Sequence, residues 1–154
     1  MSAARARTTR IRLATWFLLL YAAVLAIVLF SPIPVDSLFS SGLDDGLSWA
    51  QAHGAPGFVD YAFVEFTANI LAFVPIGCIG VLAFGSHRWE WVVLLGIVAS
   101  ATVELTQALF LSARTASLAD ILANSLGVLV GALACWLWGH RREGTAKKRA
   151  QFSY

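Results

Sequence analysis

Four long apolar runs, separated by short polar segments, set the pattern of the chain: Leu13–Phe30, Tyr61–Phe84, Trp91–Leu111 and Leu118–Trp138. Each is close to or above the about 20 residues an α-helix needs to cross a hydrocarbon core. The stretch from Phe17 to Phe30, FLLLYAAVLAIVLF, has none of the alternation a membrane β-strand requires. Within lipid each backbone N–H and C=O must be satisfied inside the protein, so the runs predict helices. Ser31-Pro-Ile-Pro34 predicts the stop of the first helix. That helix is expected to stay on the chain: its apolar run is long for a signal peptide, and SPIPVDSLFS offers no small-residue cleavage site. Between the first two spans, Leu43–Ala52 predicts a short surface helix carrying Trp49. The fold class is therefore all-α, an integral membrane four-helix bundle. It divides into a basic terminus (1–12), a membrane domain (13–138) and a basic tail (139–154).

Composition points the same way. The chain is 58% hydrophobic and 13% charged, whereas soluble domains average about 45–50% and about 25%. There is too little polar surface to cover a globule in water. Charge position then sets the expected orientation. Of 11 Lys and Arg residues, nine lie at the ends, in Arg5, Arg7, Arg10 and Arg12 and in Arg141, Arg142, Lys147, Lys148 and Arg149. With both termini in the cytoplasm (N-in/C-in), these and Arg88 are inside and only Arg114 is outside, as the positive-inside rule requires. The expected location is the bacterial plasma membrane. Basic clusters beside apolar spans read as topology signals and anionic-lipid contacts, not as a nucleic-acid site. Trp16, Trp89, Trp91, Trp136 and Trp138 map to the inner interface, where such rings prefer to lie. Cys78 and Cys135 fall toward the cytoplasmic side and are read as small packing residues, not as a disulfide.

The informative residues are the polar ones that interrupt the spans. Glu65 and Asn69 are spaced i, i+4 on the second span, Glu104 and Gln107 i, i+3 on the third, and Asp120 and Asn124 i, i+4 on the fourth. Each pair shares one helix face. Given the topology, all six fall in one layer near the outer surface, with Arg114 in the connection beside them. An ionised side chain at mid-membrane costs about 2.5–3.5 kcal/mol on the insertion scale. Facing one another removes much of that cost. Small residues mark the same surfaces: Gly127 and Gly131 continue the face of Asp120 and Asn124, and Gly96 and Ser100 continue that of Glu104 and Gln107. Pro75 removes one backbone bond from the second span, where Gly77 and Gly80 let a neighbour approach.

Taken in order, Glu65-x3-Asn69-x3-Phe73-x-Pro75-x-Gly77, Ser100-x3-Glu104-x2-Gln107 and Arg114-x5-Asp120-x3-Asn124-x2-Gly127-x3-Gly131 resemble the VanZ-like family of bacterial membrane proteins. The resemblance covers about residues 61–138. It implies a membrane protein of the kind linked to resistance against the glycopeptide teicoplanin. It also implies that Glu65, Asn69, Glu104, Gln107, Arg114, Asp120 and Asn124 are the signature polar set, without assigning any of them a catalytic role.

Two functions compete on these residues. One is binding of an amphipathic envelope ligand, a lipid-linked cell-wall precursor or a lipoglycopeptide, with its tail among the helices and its head against the polar layer. The other is an enzyme acting on such a lipid, the acids serving as general acid and base or holding Mg²⁺ or Ca²⁺. No cofactor is otherwise expected. The enzyme reading lacks a Ser-His or Cys-His pair and a phosphate loop, and His53, His87 and His140 lie outside the polar layer. Transport is disfavoured, because the inner half of the bundle has no ionisable step.

Overall fold

The structure, a computed structural model, describes residues 3–31, 40–110 and 117–151. The described residues form α1 (Ala3–Leu29), α2 (Ser40–Ala52), α3 (Tyr61–Phe84), α4 (Trp89–Phe110) and α5 (Leu118–Gln151), with one 3₁₀ turn at Ser86–Arg88. They contain no strand. Four spans are long and apolar enough to cross a membrane: Ile11–Leu29, Tyr61–Phe84, Ser86–Phe110 and Leu118–Arg141. The short α2 covers the expected surface helix at Leu43–Ala52.

Two helix boundaries differ from those expected. Helix α1 begins within the basic N-terminal segment, and α5 runs on past Trp138 into the basic tail. Once a span is helical, each added residue gains a backbone bond at little cost, and Arg and Lys propagate helices well. At 34 residues α5 is about 51 Å long, well beyond a ~30 Å hydrocarbon core. Loss of hydropathy ends the span without ending the helix.

Local signals set the other ends. Asp60 caps α3 by accepting from the Phe63 N–H at 2.9 Å. Gly85 closes α3 at φ +96, a conformation that favours glycine, and its N–H returns to the Val81 carbonyl at 2.8 Å. The chain then turns directly into α4, with the Trp89 and Trp136 rings 5.9 Å apart.

Helix α3 is central. It packs most extensively on α5 and also on α1 and α4, while α4 packs on α5. Glycines decide how close α3 and α5 come. A Cβ on Gly131 would strike the Val74 carbonyl oxygen, one on Gly127 the Ile70 carbonyl oxygen, and one on Gly77 the Val128 carbonyl oxygen. Between these helices, backbone packs on backbone. On α4, a Cβ at Gly96 would come within 2.7 Å of Val128 Cγ1. Phe73, Val81, Val92, Val128 and Ala132 fill the core so formed.

The close α3/α5 approach also corrects the reading of the cysteines. Cys78 and Cys135 are joined in a disulfide, with Cα atoms 5.2 Å apart. Spans that far separated in sequence gave no hint of this distance. It arises because the glycine faces let the two backbones meet beside both cysteines.

Helix α1 is the least engaged span and has no buried residue among those described. Its Tyr21 hydroxyl donates to the Ala72 carbonyl at 2.7 Å. Pro75 lies within α3 and offers no N–H to Leu71, so this bond falls one residue from the carbonyl that proline leaves without its helical donor.

The exposure pattern is inverted relative to a soluble protein. Leu71, Trp91, Leu109 and Leu122 are each at least 60% exposed, whereas Ser100, Glu104, Gln107 and Asn124 are buried. Apolar side chains face outward and polar ones inward, the arrangement that lipid as solvent selects.

Candidate functional site

The polar side chains converge at the end of the bundle where α1 stops, α3 starts, α4 stops and α5 starts. Asn69 stands eight residues into α3, about 12 Å along its axis, and Asn124 six residues into α5, about 9 Å. Because adjacent spans run in opposite directions, side chains at similar depths from their own helix ends meet at one level.

Capping chemistry organises the entry to α5. The Ser117 hydroxyl accepts from the Asp120 N–H at 3.3 Å, the N-cap bond of the helix. The Ser117 N–H in turn donates to Glu104 Oε2 at 2.9 Å, so α4 holds the start of α5. Asp120 Oδ1 accepts from the Asn69 amide at 2.9 Å, which ties α3 to the same turn. One turn deeper, the Asn124 amide donates to Ser100 Oγ at 3.1 Å. Gln107 donates to the Leu29 carbonyl at 2.7 Å, at the end of α1 where the helix leaves carbonyls without amide partners. These bonds tie all four spans together.

They surround a cavity of about 220 Å³. Its polar wall consists of Glu65, Asn69, Glu104, Gln107, Asp120 and Asn124, with Tyr61 beside them. Its apolar lining comes from Val28 and Leu29 of α1, Leu43 of α2, and Val64 and Ala68 of α3. Glu104 is 4% exposed, Gln107 3% and Asn124 1%, while Asp120 is part-buried and Glu65 lies exposed at the rim. Asn124 Oδ1 is buried without a hydrogen-bond partner among the described residues. Among the described residues no three His, Cys, Asp or Glu side chains group closely enough to hold a metal ion.

Six of the seven residues singled out as a polar pocket thus line one cavity. The seventh, Arg114, lies outside the described residues. Of the packing set, Gly77, Gly96, Gly127 and Gly131 sit at helix contacts, and Ser100 is both buried and bonded to Asn124. Pro75 is part-buried on α3. Sequence reasoning missed Ser117 and the Leu29 carbonyl. Ser117 was within reach, because Ser117-x-x-Asp120 before an apolar run is an N-cap signature. The Leu29 carbonyl was not, because no side-chain identity marks it.

Fold and site together define a polytopic membrane protein whose spans enclose a polar cluster at one end of a four-helix bundle. The particular family is VanZ/LLP1: its profile matches residues 16–139, and the chain belongs to it. The match reaches back into α1, beyond the 61–138 region that carries the polar motifs. Membership makes this a VanZ-like membrane protein, of a family linked to antibiotic resistance. Comparison with curated proteins and with solved structures gives no match.

Proposed function

We propose that the cavity binds the polar end of an amphipathic cell-envelope molecule, a membrane lipid, lipid-linked wall precursor or lipoglycopeptide. Through it the protein contributes to envelope homeostasis and antibiotic resistance. The observation that carries this reading is the mixed lining of the cavity. Carboxylates and amides from α3, α4 and α5 line one space together with aliphatic side chains from α1, α2 and α3. Binding sites for small amphipathic ligands pair a mostly apolar lining with a few converging polar groups. Ionisable residues retained within a span are functional by default, since as packing residues they are costly.

In this reading the site opens near the outer leaflet of the bacterial plasma membrane, and both termini are cytoplasmic. The basic residues at the two ends support that orientation.

The test is a double substitution, Glu104→Gln with Asp120→Asn, assayed for glycopeptide susceptibility at unchanged membrane abundance. Susceptibility should rise, and unaltered resistance would remove the cavity from the mechanism.

A further inference from the structure

The hydrogen-bonding inventory of the cavity wall goes further, to the chemistry of the ligand's head. Each amide on the wall spends a hydrogen on the protein: Asn69 on Asp120, Gln107 on the Leu29 carbonyl and Asn124 on Ser100. Their partners accept, and Glu65, Glu104 and Asp120 add three carboxylates, so the wall is rich in acceptor oxygen and, among the described residues that line it, has acidic but no basic side chains. Against that background, Asn124 Oδ1 is an acceptor with no donor among the described residues, on a side chain only 1% exposed that lines the cavity. A buried polar atom left unmatched is costly, and more so where lipid replaces water. A hydrogen-bond donor on the cavity's occupant would satisfy it.

We infer that the occupant presents a primary ammonium group, whose N–H bonds satisfy Asn124 Oδ1 while its charge lies beside Glu65, Glu104 and Asp120. An ammonium offers three donors and no acceptor, which complements such a wall. A phosphate or carboxylate head would set oxygen against oxygen. A quaternary ammonium would bring charge but no hydrogen to donate. The chemistry is shared by an aminophospholipid head group and by a free alkylamine. This inference rests on the binding function proposed above and narrows its ligand class.

The experiment uses the full chain in nanodiscs of phosphatidylglycerol containing an equal fraction of phosphatidylethanolamine or of phosphatidylcholine. Lipid retained after release is counted by native mass spectrometry. Phosphatidylethanolamine should be retained on the order of tenfold over phosphatidylcholine, the discrimination a matched buried donor gives. Asn124→Leu should bring that ratio close to one. Should Asn124→Leu fail to fold, Glu65→Gln at the exposed rim should still lower the ratio severalfold. Displacement of the lipid by free ethanolamine would support the inference and assign recognition to the head alone. Equal retention of all three lipids would overturn the ammonium while leaving a lipid site in place. Retention of none would overturn both readings.

Discussion

The Asn69 amide donates to Asp120 Oδ1 at 2.9 Å, joining residues 51 positions apart at the point where α5 begins. Asp120 is also the third residue of the Ser117-capped turn, so one residue serves the helix start through its N–H and the contact with α3 through its carboxylate. Local and tertiary structure share a residue there, and a side-chain substitution tests the tertiary bond while leaving the capping N–H in place.

A double-mutant cycle on Asn69→Leu and Asp120→Leu should give a coupling of about 0.6 kcal/mol, up to about 1.7, the range for hydrogen bonds within membranes. The measurement is reversible unfolding in mixed micelles. A coupling indistinguishable from zero would mean that the bond does not form.

Helix α3 and α5 meet through glycine, so added volume there should be poorly tolerated. Gly131→Val drives a side chain into the Val74 carbonyl oxygen, a contact that backbone cannot relieve by changing rotamer. A loss of at least about 1–3 kcal/mol is expected, as for overpacked cores. Gly46→Ala on α2, where nothing lies within 4 Å of an added Cβ, should be neutral or slightly stabilising. Equal thermal midpoints for the two variants would contradict the backbone contact.

Cys78 and Cys135 should resist maleimide labelling after unfolding in detergent without reductant, and both should label once reduced. Replacing both with Ser should lower the thermal midpoint. The bond bridges a sequence separation of 57 residues, for which chain entropy allows about 4 kcal/mol in water. Inserted helices have less freedom to lose, so the measured effect should be smaller. Free thiols in the native, non-reduced protein would show that the bond is absent.

Orientation is tested by reporter fusion. A phosphatase that works only outside the cytoplasm should be inactive when fused after Tyr154 and active when placed near Gly54 in the α2–α3 connection. The reverse pattern would invert the site's proposed leaflet.

How much of this was legible beforehand depends on the range of the forces involved. Hydropathy and span length fixed the four spans, because lipid leaves a backbone segment few alternatives. Residue spacing along one helix put Gly96, Ser100, Glu104 and Gln107 on a common face, and in the structure α4 buries that face. The start of α5 was readable from Ser117 and Asp120, since an N-cap acts over a few residues. Which oxygen meets which amide was not readable, because those partners come from different helices.

For this protein, then, the order of residues alone determined what must lie in lipid and which helix faces must avoid it, since both follow from local periodicity and from the cost of polar groups in hydrocarbon. Tertiary structure alone decided the α3/α5 backbone contact, the Cys78–Cys135 bond and the burial of Asn124 Oδ1 with no donor among the described residues. The physical reason is distance. Hydrogen bonds and close packing act over a few ångströms between segments remote in sequence, and only the docked bundle brings those segments within range.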